Sequence, residues 1–139
     1  MTAASSVSTL LVPVAPGELI DKITILEIKA VHITDRDKRA NVTHELELLR
    51  KVLASAVSSR DELTRLTSKL KAINETLWAI EDDIRDCEAA QNFGEKFINL
   101  ARAVYRTNDR RAAIKREINL LLGSDILEEK SYNSYESGT

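Results

Sequence analysis

Trp78 is the only tryptophan of the chain, and it stands among charges in "NETLWAIEDDIRDCE", residues 74–88. Asn74, Trp78, Glu81, Arg85 and Glu88 recur at spacings of four, three, four and three, so they share one stripe of a helix on which Glu81 and Arg85 can pair. A second cluster lies in "LARAVYRTNDRRAAIKRE", where Arg102, Arg106, Arg110, Arg111, Lys115 and Arg116 gather. Arginine forks suit phosphate and carboxylate. If the two stripes faced one cavity, Trp78, Glu81 and Arg85 would shape its wall. Arg102, Arg110 and Arg111 would hold an anion, and Tyr105 and Asn108 would add neutral hydrogen bonds. The plainer account is packing: another helix lies on Trp78, and the acidic and basic segments pair across neighbouring helices.

Other chemistries find less support. "DDIRD" (Asp82, Asp83, Asp86) matches the aspartate-rich pattern that holds magnesium and diphosphate, but its carboxylates lie off both stripes and read as a solvated face. His32 and His44 do not follow a glutamate at the spacing of a carboxylate di-iron site. A single cysteine, Cys87, makes no zinc pattern, and no phosphate-binding glycine loop or nucleophile-base pair is readable. No metal and no cofactor is therefore expected. Electrostatic catalysis of the helical chorismate-mutase kind needs only basic groups and an acid or amide, with Lys22 and Lys29 available to complete a pocket, yet that family's spacing is not reproduced. Whether the chain is an enzyme stays open.

The elements that must position these groups are helices. Both prolines, Pro13 and Pro16, precede residue 17, and only Gly94 and Gly123 interrupt the chain between there and the tail. The first helix repeats Leu19, Ile23, Leu26, Ala30 and Ile33 on one face, while Ile20, Ile25, Ile28 and Val31 lie off it, so burial on two sides is expected. "TDRDK" makes a turn, and Val42, Leu46, Leu49, Leu53 and Ala56 mark a second helix. The third runs over about residues 59–90, with Ser59 and Glu62 as a capping box. Leu63, Leu66, Leu70, Ile73, Leu77, Ile80, Ile84 and Cys87 form its heptad seam. Asn92 with Glu95 caps a fourth helix, "YRTND" breaks it, and a fifth ends at Gly123. The reading is all-α: a helical bundle around one long, coiled-coil-like central helix. An extended or disordered head covers 1–15, the helical domain 16–124 and a tail 125–139.

The balance of charge, net −2, argues against nucleic-acid binding. No apolar run approaches the ~18 residues of a membrane span, and the lone cysteine suits a reducing compartment, so a cytoplasmic chain without membrane insertion is expected. A third helix that outruns a monomeric core, beside a two-sided first helix, predicts a homodimer.

The segments "VPVAPGELIDKITILEIKA", "NETLWAIEDDIRDCE", "FINLARAVYRTNDRRAAIKREIN" and "EEKSY" resemble an uncharacterised bacterial helical family from about residue 10 to 135. The resemblance implies company rather than activity, since relatives stand near or are joined to glycosyltransferases and tetratricopeptide-repeat proteins of cell-surface polysaccharide pathways. It implies a role beside sugar transfer, as an accessory or sugar-nucleotide-binding protein, and the leading reading is a non-catalytic interaction or accessory module with a protein partner. The alternative is a binder or enzyme for an anionic small molecule such as a sugar nucleotide.

Overall fold

The structure is a computed structural model and describes residues 8–136. The first half of the expected head, residues 1–7, and the last three residues of the tail lie outside the described residues. Within them the chain is all-helical: α1 (Pro16–His32), α2 (Arg36–Ala56), α3 (Asp61–Ala89) and α4 (Glu95–Leu121). No helix among the described residues is long and apolar enough to cross a membrane.

Four helices stand where the sequence suggested five. "YRTND" lies inside α4, which runs unbroken for 27 residues. A cap preference is a local bias of ~1 kcal/mol, and tertiary contacts override it here. Thr107 is buried, and the Asp109 carboxylate pairs with Lys130 of the tail at 3.1 Å instead of capping a helix. Two other caps differ. The N-cap of α3 is Arg60, without a side-chain bond, because Glu62 is bound by Arg65 one turn on and does not reach back to Ser59. The N-cap of α4 is Gly94, and Asn92 accepts from the Gly94 amide at 3.1 Å one step earlier, in the turn. The stop at Gly123 does form: its φ is +64°, and the Ser124 amide closes onto the Asn119 carbonyl at 2.9 Å. The α3 terminus makes the same closure with Gln91 at φ 54°, where glycine would be usual, and the Asn92 amide on the Cys87 carbonyl at 2.8 Å.

α3 and α4 form an antiparallel hairpin of 29 and 27 residues, about 43 and 40 Å long at 1.5 Å per residue. The seam of α3 faces inward, with Leu63, Leu66, Leu70, Ile80 and Cys87 buried. Length alone does not make α3 the hub. α1 is the helix that packs against all three others, and its two-sidedness explains how. Ile23 and Leu26, with Leu19, meet Val42, Leu46, Leu49 and Leu53 of α2. Ile20, on the other side, joins Leu63, Leu66 and Leu70 of α3 and Ile118 of α4. Val31 is exposed and belongs to neither cluster. Burying an aliphatic side chain contributes ~1.5–3 kcal/mol, so the two clusters anchor α1 at the centre. α1 is about 25 Å long against the ~43 Å of α3. Much of the hairpin therefore runs on without it.

Candidate functional site

The helices meet at a polar layer directly above the Ile20 cluster. Asp21 of α1 is 1% exposed. Its carboxylate accepts from Arg111 Nε at 2.9 Å and Nη2 at 2.5 Å, a two-point fork from α4. Asn74 of α3 donates through Nδ2 to Asp21 Oδ1 and to Thr24 Oγ1, both at 2.9 Å. Thr24 donates in turn to the Asp21 carbonyl at 2.8 Å. One carboxylate thus ties α1, α3 and α4 together. The bond from Asp21 raises Arg111 above the ordinary arginine range, outweighing the opposite pull of desolvation. A charge this buried is tolerable only when paired and hydrogen-bonded, and both conditions hold.

One turn along α4, Lys115 lies among three carboxylates: Glu18 at 2.6 Å, Glu128 at 3.7 Å and Asp21 at 3.8 Å. A further turn on, Asn119 Oδ1 accepts from the Gly17 amide at 2.7 Å. That contact needs a glycine, since a Cβ at residue 17 would stand 2.5 Å from the Lys115 carbonyl oxygen. The first turn of α1 and the last turns of α4 are therefore in backbone contact.

Over this layer opens a cavity of about 740 Å³. α4 forms its floor, Glu18 of α1 one end, and the returning tail the far wall, with Glu128, Lys130, Tyr132, Asn133 and Tyr135. The tail is held by side chains. Arg116 donates to Glu129 at 3.0 Å, and Lys130 to Asp109 at 3.1 Å. The Tyr105 and Tyr135 rings meet edge to face with centroids 5.0 Å apart. Hydrogen bonds from Tyr135 and then Lys130 hold Asp109 below the ordinary carboxylate range, and the same bond pushes the Tyr135 phenol up.

Of the residues singled out in the sequence, Tyr105, Asn108 and Arg111 line this cavity, and Trp78, Glu81, Arg85, Arg102 and Arg110 are not among its lining residues. Trp78 stacks on His32 at the end of α1, centroids 4.9 Å apart and planes 22° from parallel. Arg85 reaches Glu81 at 3.6 Å on the surface, its side chain 78% exposed. Arg102 is exposed, and Arg110 donates to Thr107 at 3.4 Å. The acidic stripe of α3 therefore does not line this cavity. Asp21, the residue on which the layer turns, was missed. Its signal was a carboxylate set between Ile20 and Thr24, one residue after an apolar position and two before Ile23. Among the described residues no group of three or more His, Cys, Asp or Glu side chains is placed to hold a metal ion.

The arrangement is thus a small all-α domain: a hairpin of two long helices, a central short helix locked to it through a buried carboxylate, and a cavity between hairpin and tail. Residues 10–139 match the model of a family of unknown function, DUF6165, and the chain belongs to that family. No curated protein and no solved structure matches it.

Proposed function

We propose that this chain is a non-catalytic helical interaction module of the cytoplasm, working as a symmetric pair and serving as an accessory to glycosyltransferases of surface-polysaccharide assembly. The observation that carries the docking part is where α1 stops. The stripe of α3 touches α1 through Asn74 and Trp78, and α1 ends at His32 beside Trp78. Beyond that point Glu81, Arg85 and Glu88 continue the stripe, exposed, on a hairpin whose tip also presents Phe93 and Ile98, about half exposed. The signs alternate along the stripe. A second copy related by a two-fold axis would set each Arg85 against a glutamate of the other, the self-complementary pattern that an isologous contact requires. The glycosyltransferase setting comes from family resemblance alone.

The test is the mass of the full chain by sedimentation equilibrium at micromolar concentrations. A pair is expected for the natural sequence. Arg85→Glu and the double change Glu81→Arg, Glu88→Arg should each give a single chain, and a mixture of the two should pair again. A natural sequence that stays single, or two variants that pair undisturbed, would end the proposal.

The rival function, a binder or enzyme for an anionic small molecule, draws support from Tyr105, Asn108 and Arg111 lining one cavity. Chorismate-mutase-like chemistry would need the Arg111 fork for its substrate, and Asp21 holds that fork.

A further inference from the structure

The cavity between α4 and the tail has a use that the docking surface does not cover. Its volume, about 740 Å³, falls within the ~300–1,000 Å³ of small-molecule sites. Its charges are already matched. Arg111 is forked onto Asp21, Arg116 is bonded to Glu129, and Lys130 to Asp109. Lys115 has three carboxylates within 3.8 Å. A phosphate placed on Lys115 would meet those carboxylates at close range, and one placed on Arg111 would have to expel a buried Asp21. The groups that remain unspent are neutral. The side-chain amides of Asn108 and Asn133 and the hydroxyls of Tyr105 and Tyr132 line the cavity, and among the described residues no hydrogen bond engages them. Amides and phenols both donate and accept, which complements ligand hydroxyls that do the same. All three tyrosines of the chain line the space; Tyr105 and Tyr135 pack edge to face, Lys130 Nζ covers one side of the Tyr132 ring at 5.4 Å, and the rings supply the apolar part of the lining.

We infer that this cavity binds an uncharged, hydroxyl-rich small molecule with one apolar face, of the polyol or cyclic-polyol class, and that it discriminates against phosphate-bearing ligands. Asn108 and Asn133 make the hydrogen bonds from opposite walls. Tyr132, 84% exposed, closes over the ligand from the tail.

The experiment is saturation-transfer NMR on the full chain. One panel holds uncharged mono- and disaccharides and cyclitols, and a second holds inorganic phosphate, pyrophosphate and uridine diphosphate. At least one uncharged compound is expected to receive saturation, with binding weakened roughly tenfold by Asn108→Ala and clearly by Tyr132→Ala. The second variant changes an exposed side chain and leaves the helices intact, as circular dichroism will confirm. No transfer to any uncharged compound overturns the inference, and so does transfer that neither substitution weakens. Binding confined to the phosphate panel and lost in Asn108→Ala would keep the cavity as a site and overturn its ligand class.

Discussion

Lys71, Asn74 and Trp78 share a stripe of α3 with Glu81, Arg85 and Glu88, and the two halves of that stripe have opposite fates. The first half is spent on α1: Lys71 on Glu27 at 3.7 Å, Asn74 on Asp21 and Thr24, and Trp78 on His32. The second half faces solvent, where its one ion pair sits at 3.6 Å. Helix, spacing and polar character are alike on both sides of Trp78, although only the first half carries an aromatic ring and an amide. The end of a neighbouring helix makes the difference, so an amphipathic stripe states what a helix can pack against and not whether anything is there.

Four measurements press on that contrast. Asp21→Ala should have the largest effect. It strands the Arg111 fork and removes one of the two Asn74 bonds, and breaking a buried pair of this kind costs about 3–5 kcal/mol. Urea unfolding will measure it, and a loss below ~1 kcal/mol would mean that the layer is hydrated and that the covered half resembles the open one. Gly17→Ala comes next, at about 1–3 kcal/mol, because the added methyl meets the Lys115 carbonyl, which is backbone and cannot swing away. A neutral outcome would show that α1 can ride outward on α4. Arg85→Ala should change unfolding stability by no more than ~0.5 kcal/mol at protein concentrations low enough to keep chains single. A larger loss would place an unseen neighbour on the open half within one chain.

The smallest effect concerns the tail, which resembles the open half in being held by exposed side chains. Asp109 lies below its ordinary value when the tail is docked, so its contribution is present above pH ~4 and fades as pH falls through the depressed value. Tyr135 lies above its ordinary value, so its contribution is present below pH ~10 and fades as pH rises through the elevated one. The Tyr135 ring resonances should stay at their docked shifts across neutral pH and move toward free-chain values at both extremes. Shifts that stay constant from pH 3 to 11, roughly the span of both transitions, would show that the latch does not depend on these two groups.

Periodicity was readable wherever it followed one helix at a time. The buried side of α3 at Leu63, Leu66, Leu70 and Ile80, the small apolar role of Cys87, the two faces of α1 and the stop at Gly123 all follow from spacing and residue type, and each is present. The polar layer was not readable. Asp21 and Arg111 are 90 positions apart, and Gly17 and Asn119 are 102 apart. No local pattern announces which of the five arginines between residues 102 and 116 will cross to α1. "YRTND" misled for a related reason: Asn108 and Asp109 carry the side chains of a helix start, but Asp109 is bonded to the tail and Asn108 lines the cavity, and neither caps its own backbone. Of the residues lining the cavity, Tyr105, Asn108 and Arg111 stood out in the sequence of their own helix. The tail residues that face them were not, because that segment has no period to read.

The contact of Gly17 with Lys115 and Asn119 has one more consequence. It brings the first residue pair of α1 against the last turns of α4, so the entrance and the exit of the helical domain are neighbours. A body whose two ends meet can be spliced into a surface loop of a host protein without prying the host apart, or cut at its far turn and rejoined near Pro16 as a circular permutant. The turn at residues 90–94, exposed and at the opposite end of the hairpin, is the place to open it.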